Sequence, residues 1–145
     1  MKFAFALANR WNRHKHETSG WFMSEKLDGV RVIWDGKNFY TRGGHLVNCP
    51  PWFSAGLPHV YIDGEMWAGR GRFDFASGVC RKKEWVFEDW NQMEFQAFDL
   101  PKHGGTFKDR IEALDEIYEK DGDGCWDVVV HHGVHCNKDI DEMLP

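Results

Sequence analysis

The chain has 145 residues, of which 42% are hydrophobic and 15% aromatic, and its formal net charge is −5. This composition is typical of one folded domain and excludes an intrinsically disordered chain. A free-standing DNA-binding protein is usually basic, so the acidic balance predicts that this chain alone binds DNA weakly.

The N-terminal segment MKFAFALANRW has an apolar run shorter than the one that a signal peptide carries. No stretch is apolar over the roughly 20 residues that a membrane-spanning helix needs. The chain has four cysteines without a C-x-x-C pair, namely Cys49, Cys80, Cys125 and Cys136. We therefore expect a soluble, cytoplasmic protein with reduced thiols and no membrane contact.

Short strands are predicted along the first part of the chain. WFMSEKL is interpreted as a strand that leads into an Asp-Gly turn. VRVIWDGKNFYTR predicts a hairpin around its own Asp-Gly dipeptide, with Val30, Val32 and Trp34 on one face. VYIDGEMW predicts another strand, which the dipeptide Asp63-Gly64 interrupts.

The later segments add both strands and helices. MEFQAFDLP alternates, with Phe95 and Ala97 on one face and Phe98 and Leu100 on the other. TFKDRIEALDEIYEK has apolar residues at helical spacing after the capping residue Thr106. CWDVVVHHGV indicates a strand, and NKDIDEML the start of a helix. Because no β-α-β rhythm is visible, the pattern predicts an α+β fold with antiparallel sheets flanked by helices.

Lys26 lies in the segment EKLDGVR, one residue before an Asp-Gly turn. Taken alone, such a lysine is most often a solvated surface charge. Three further segments follow it in the order TRGG, IDGEMW and FQAFDLP, and this ordered set points to a functional site.

Together these segments resemble the nucleotidyltransferase (adenylation) domain of ATP-dependent DNA ligases, especially the small bacterial and phage types. EKLDGVR matches the K-x-D-G-x-R motif of that family, and TRGG, DGE and FDL match its later motifs. WAGRGRF is similar to the small-ligase subgroup. The resemblance implies a single, incomplete nucleotidyltransferase (ATP-grasp-like) adenylation domain over residues 1–145, without an OB-fold domain.

The resemblance implies that Lys26 is the catalytic nucleophile, which takes AMP from ATP before nick sealing in DNA repair or replication. A lysine amine attacks phosphorus only when it is neutral, whereas a free lysine in water is almost wholly protonated. Nearby cations favour the neutral amine, and Arg31, Arg42 and a bound Mg²⁺ are the candidates. The implied partners are therefore ATP, Mg²⁺ and nicked DNA.

Two arginines are implied contacts of the nucleotide. Arg31 is expected near the ribose or a phosphate, and the alternative is an ion pair with a neighbouring strand. Arg42 precedes two glycines, which allow close backbone approach, and its guanidinium fork suits a phosphate. The alternative for Arg42 is a hairpin arginine in water.

Four other residues complete the implied nucleotide site. The resemblance implies that Glu65 accepts hydrogen bonds from ribose hydroxyls, and the alternatives are a metal-binding carboxylate and an exposed strand glutamate. Phe98 is the expected stacking platform for adenine, with core packing as the alternative. Ser24 and Glu25 are expected to reach adenine.

Several other features favour ordinary structural roles. Asp63 is expected to make a local turn bond, and Phe95 to lie in the core. The basic loop GRGR is as consistent with a solvated turn as with contacts to DNA phosphates. In HHGVHC, adjacent histidines on a strand point to opposite faces, which disfavours a shared zinc ion.

Two later family motifs, a glutamate-glycine pair and two spaced lysines, are not found in the sequence. We therefore expect a truncated or split ligase with weak or no activity alone, which a second chain or self-association would complete. The alternatives are a non-catalytic pseudo-ligase that binds a nucleotide or a partner, and an RNA ligase or capping-type nucleotidyltransferase.

Overall fold

The structure, a computed structural model, describes residues 22–122 and 124–133. The chain divides into two compact units. The described part of the smaller unit covers residues 22–26 and 130–133, and that of the larger unit lies between residues 27 and 129. In the smaller unit, β1 (Phe22–Met23) pairs antiparallel with β8 (His132–Gly133).

The described residues of the larger unit form an open six-stranded sheet and four helices. Its strands are β2 (Val30–Trp34), β3 (Phe39–Thr41), β4 (Leu46–Val47), β5 (Ile62–Trp67), β6 (Glu94–Asp99) and β7 (Trp126–Val128). Its helices are α1 (Pro51–Ser54), α2 (Phe73–Arg81), α3 (Phe87–Trp90) and α4 (Phe107–Asp121). All of these helices are too short to cross a membrane, and no candidate span exists among the described residues.

The strand order is β4-β3-β2-β5-β6-β7, and every neighbouring pair except the last is antiparallel. Strand β7 pairs parallel with β6, and α4 forms the crossover between them. The expected mixture of strands and helices is confirmed. The expectation of purely antiparallel sheets without a β-α-β unit was wrong, because a parallel pair requires a crossover and α4 supplies it.

One face of this sheet forms the hydrophobic core. The strands contribute alternating residues, and the helices cover them with apolar side chains that include Ala76, Trp90 and Leu114. The predicted hairpin of β2 and β3 and the predicted alternation along β6 are confirmed, since Val32, Phe95 and Ala97 are fully buried. Other sheet residues of the core are Trp34, Phe39, Ile62, Met66 and Trp126.

Two local details differ from the sequence interpretation. Strand β5 runs through Asp63 and Gly64, and the expected interruption is a register shift against β6 at that point. A Cβ atom on Gly64 would lie 2.5 Å from the carbonyl oxygen of Gln96, so only glycine fits there. Leu100 follows the end of β6 and is buried in the core, not on the face of Phe98.

Helix α4 begins as the sequence indicates. The Thr106 side chain accepts a hydrogen bond from the Asp109 amide, and the Asp109 carboxylate accepts one from the Thr106 amide. This capping box satisfies two amides of the first turn, which no carbonyl within the helix reaches. The hydrogen bonds to Thr106 also lower the pKa of Asp109 below its ordinary value.

The end of the chain is described only in part. The segment predicted as one strand, CWDVVVHHGV, contains the separate strands β7 and β8. WFMSEKL forms a strand only at β1. The predicted helix after Asn137, Cys136 and the last residues of HHGVHC lie outside the described residues.

Candidate functional site

The second face of the sheet, opposite the core, carries polar side chains on its three central strands. We call the set Arg31, Asp63, Glu65, Gln96 and Phe98 the polar face. In the strand register Arg31 lies opposite Glu65, and Glu65 lies opposite Gln96. Because side chains alternate along a strand, these residues point away from the core cluster.

Arg31 and Asp63 form a bidentate ion pair between β2 and β5. Arg31 Nε donates to Asp63 Oδ1 at 3.2 Å, and Nη2 donates to Oδ2 at 2.7 Å. The Asp63 side chain is 4% exposed and that of Arg31 24% exposed. Paired, hydrogen-bonded charges of this kind fix the direction of a guanidinium more firmly than a surface contact does.

Asp63 is structural, as expected, but its main contact is not the expected local turn bond. The Asp63 carboxylate accepts its two side-chain hydrogen bonds from Arg31, which lies 32 residues earlier in the chain. The Gly64 amide also hydrogen-bonds to this carboxylate. Burial raises the pKa of Asp63 above its ordinary value, and the hydrogen bonds and charge of Arg31 oppose that rise. For Arg31, the alternative interpretation as a cross-strand ion pair is therefore observed.

Phe98 lies beside the same guanidinium. The Arg31 Cζ atom is 5.3 Å from the centroid of the Phe98 ring, which is a cation–π distance. Phe98 is half-buried, whereas Phe95 of the same strand is fully buried in the core, as predicted. Phe98 thus presents part of an aromatic ring on the polar face, next to a fixed positive charge.

Glu65 is half-buried between Arg31 and Gln96 on the adjoining strands. The glycine of the segment EKLDGVR packs against it, because a Cβ on Gly29 would lie 2.9 Å from Glu65 Cγ and would meet the Met66 carbonyl. Gly29 is therefore required for close approach of the backbone to β5.

Arg42 lies in the turn that joins β3 to β4. The Gly44 amide bonds to the Thr41 carbonyl at 2.9 Å, and Gly44 has a φ of 86°, which favours glycine. The Arg42 side chain is exposed. Thr41, its neighbour, pairs with Val32, so the turn begins beside the start of β2 and close in register to Arg31.

Ser24, Glu25 and Lys26 belong to the smaller unit and lie between β1 and residue 27. All three are exposed. The larger unit brings together Arg31, Glu65 and Phe98 among the sequence-predicted site residues, with Arg42 on a neighbouring turn.

The described residues contain no group of three or more histidine, cysteine, aspartate or glutamate side chains that fits a metal ion. The polar face has two carboxylates, that of Asp63, both of whose oxygens accept from Arg31, and that of Glu65. Magnesium is commonly held by one or two carboxylates together with substrate phosphates and water. The polar face is compatible with that mode of binding and offers no all-protein metal cage.

Comparisons with known proteins give a consistent result. The chain is 35% identical over 115 residues to a DNA ligase of Haemophilus influenzae, an alignment that covers 77% of this chain and 42% of the ligase. A solved structure of a Lig E DNA ligase superimposes with a TM-score of 0.87 at 29% identity. The chain is similar to part of a DNA ligase.

That likeness covers 99% of this chain and 57% of the Lig E structure, so the chain spans about half the length of the ligases that it matches. A second solved structure, Pmar-Lig_Pre, has a TM-score of 0.67 at 15% identity and is similar in fold alone. No protein-family model matches the chain. The similarity to DNA ligases agrees with the family resemblance that the ordered segments indicate.

Sequence reasoning missed two residues of the polar face. Gln96 lies opposite Glu65, and the alternation of FQAFD already placed it on the face of Phe98. Asp63 was assigned a local bond, because no sequence signal shows that β2 and β5 are neighbours. The spacing of the two strands along the chain leaves their register undetermined.

Proposed function

We propose that this chain is the ATP-dependent adenylation part of a DNA ligase and that Lys26 accepts AMP. The proposal is supported by the similarity to DNA ligases and by the ordered segments that begin at EKLDGVR. The observation that carries it is the position of Arg31, which is bound to Asp63, adjoins the Phe98 ring and lies opposite Glu65.

In the proposed reaction, the neutral Lys26 Nζ attacks the α-phosphorus of ATP. A phosphorus–nitrogen bond forms, the bond from the α-phosphorus to the bridging oxygen breaks, and pyrophosphate leaves with that electron pair. The amine loses a proton to solvent. The AMP is then passed to the 5′-phosphate of a DNA nick, which turns that phosphate into a group that a 3′-hydroxyl can displace.

The polar face would hold the nucleotide. Phe98 offers a flat ring for adenine, and stacking of a base on an aromatic side chain contributes about 1–3 kcal/mol. Glu65 would accept hydrogen bonds from ribose hydroxyls. Arg31, whose guanidinium is held in place by Asp63, would contact the ribose or a phosphate.

Residues outside the polar face would complete the proposed site. The exposed Arg42 would contact a phosphate from its glycine-containing turn. Ser24 and Glu25 would contact adenine. Magnesium, when bound, would neutralise charge on the phosphate oxygens, and Glu65 is the carboxylate that fits it.

The test uses ATP labelled at the α-phosphate, with the protein separated after incubation in Mg²⁺. Wild-type protein should retain label, and Lys26→Arg should retain none. Lys37→Arg is the control, because Lys37 is also an exposed lysine close to an Asp-Gly dipeptide, which it follows whereas Lys26 precedes one. Retained label on Lys26→Arg, or none on the wild type, would contradict the proposal.

Further measurements distinguish the proposed ligase from the alternative functions. Binding of ATP by calorimetry without any labelling would favour the non-catalytic pseudo-ligase. Labelling by GTP, or sealing of nicked RNA in preference to nicked DNA, would favour a capping-type enzyme or an RNA ligase.

A further inference from the structure

Three large aromatic side chains are exposed in the larger unit, where α1 lies beside α3. Trp52 of α1 is 40% exposed, Phe87 at the start of α3 is 54% exposed, and Trp85 just before it is 44% exposed. We call these three residues the aromatic patch. Single exposed apolar residues are common on proteins, whereas a cluster of large ones marks a surface that binds a partner.

The three rings of the aromatic patch face the same way. The ring centroids of Trp52 and Phe87 lie 5.6 Å apart. Val86, between Trp85 and Phe87, has extended backbone angles, with φ −118° and ψ 126°. Alternate side chains of an extended backbone point to the same side, so Trp85 adds its ring to the other two.

Core packing and a hydrogen bond hold the aromatic patch in place. Phe53, which follows Trp52, is buried and packs edge-on against Trp90 of α3, with 4.8 Å between the ring centroids. The Asn48 side chain donates to the Lys83 carbonyl at 2.9 Å, which ties the segment before α1 to the segment before α3. A surface that is fixed in advance loses little conformational entropy when a partner covers it.

The charges beside the aromatic patch have both signs. Lys83 lies on its N-terminal side along the chain and Glu88 on its C-terminal side, and both residues are exposed. Within the described part of the chain, neither side chain belongs to an ion pair, whereas Lys82 is paired with Asp89. A patch with a cation at one end and an anion at the other matches its own copy when a two-fold axis relates the two.

The same charges disfavour other occupants of the aromatic patch. A nucleic acid would meet the exposed carboxylates of Glu84 and Glu88. A strongly acidic or strongly basic protein would meet a like charge at one end of the patch, which is costly. In a two-fold dimer, by contrast, Lys83 of each copy faces Glu88 of the other, and the rings of both copies are covered.

We propose that the aromatic patch joins two copies of this chain in a two-fold symmetric dimer. Three rings are few beside the roughly 20–30 residues that each side of a standard interface contributes, so the dimer is weak. Its expected dissociation constant is on the order of 10–100 µM. The contact does not depend on the proposed ligase function and does not involve the edge strand β7.

Sedimentation velocity of the full chain, without nucleic acid and over a range of protein concentrations, measures the dimer. Phe87→Ala should weaken it about tenfold or more, as expected for a central aromatic residue of an interface. Phe107→Ala is the matched control, because Phe107 is also an exposed phenylalanine at the first position of a helix. This control should dimerise as the wild type does. Circular dichroism checks that both variants are folded.

Reversal of the flanking charges tests the two-fold arrangement. Lys83→Glu alone, or Glu88→Lys alone, places like charges face to face twice in the dimer and should weaken it by about fivefold. The double variant restores opposite charges at both places and should regain the wild-type dissociation constant to within about twofold. Additive effects of the two reversals, without this recovery, would contradict the proposed arrangement.

The wild-type chain itself decides whether the aromatic patch binds a second copy. A chain that stays monomeric at about 1 mM would overturn the proposal. If that monomer bound the dye ANS and Phe87→Ala abolished the binding, the patch would serve a different partner. A dimer that Phe87→Ala leaves unchanged would also overturn the proposal, because another surface, such as the edge strand β7, would then form it.

Discussion

The two faces of the six-stranded sheet are built from the same strands and differ in almost every physical respect. On the core face, Val32, Gly64 and Ala97 lie on neighbouring strands, are fully buried or nearly so, and pack against the helices. On the polar face, Arg31, Glu65 and Gln96 occupy the adjacent register positions. Along each strand, therefore, a residue that packs in the core is followed by or preceded by a residue of the polar face.

This difference shows how a small domain supports a polar site without losing its core. The alternation of β2 and β6 places the Arg31 guanidinium and the Phe98 ring on the opposite side of the sheet from the buried, apolar core. Stability should therefore depend on one face and nucleotide affinity on the other. Paired substitutions on the two faces test that separation.

The largest expected effect is on the core face. Phe95→Ala removes a fully buried ring that packs edge-on against Phe39 at 4.9 Å between centroids. Such truncations cost about 3–5 kcal/mol of unfolding free energy. Denaturant unfolding monitored by tryptophan fluorescence measures the loss. Phe98→Ala, from the polar face, should cost clearly less, and equal costs would contradict the separation of the two faces.

An intermediate effect is expected when the ion pair of the polar face is broken. Asp63→Ala removes two hydrogen bonds from Arg31 and should cost about 1–3 kcal/mol, because hydrogen bonds to charged groups are the stronger ones. It should also lower ATP affinity by releasing Arg31. Calorimetry with ATP and denaturant unfolding measure the two effects.

Lys108→Ala is a useful reference for the ion-pair prediction, because the Lys108–Glu112 contact is long, at 3.9 Å, and exposed. It should change unfolding free energy by less than about 0.5 kcal/mol. A loss for Asp63→Ala no larger than that of Lys108→Ala would show that the Arg31 pair is not a fixed structural element.

The smallest effect concerns reactivity and leaves stability unchanged. Burial raises the pKa of Cys80 to about 12, so its thiolate is scarce at neutral pH, and only the thiolate is nucleophilic. We expect iodoacetamide to modify the partly exposed Cys125 before Cys80, and the rate at Cys80 to rise without a plateau up to pH 10. Peptide mass spectrometry follows both sites. If iodoacetamide modified Cys80 as fast as Cys125, the core around Cys80 would be accessible to solvent, which would contradict the prediction.

The local parts of this structure were predictable from the sequence. The β2–β3 hairpin follows from an Asp-Gly dipeptide between alternating residues, and the α4 cap from Thr106 before an apolar helical pattern. The assignment of Phe95 to the core and Phe98 to the other face required only the two-residue period of a strand.

The non-local parts were not predictable. The Arg31–Asp63 pair depends on β2 lying beside β5. The residues between β3 and β5 do not show that β5 pairs with β2. The parallel pairing of β7 was missed because a short strand after a helix has the same pattern in either direction. The role of Gly29, packed on Glu65, emerges only when both strands are in place.

The central claim is that the polar face holds the nucleotide, and the most direct measurement is the ATP affinity of Phe98→Ala by calorimetry. Phe75→Ala is the matched control, because Phe75 is also half-buried and also lies under an arginine, with Arg72 Cζ 4.2 Å from its ring centroid. Loss of about 1–3 kcal/mol of base stacking should weaken ATP binding by roughly fivefold to 150-fold in Phe98→Ala. Phe75→Ala should bind as the wild type does. Unchanged affinity in a folded Phe98→Ala protein would contradict the account.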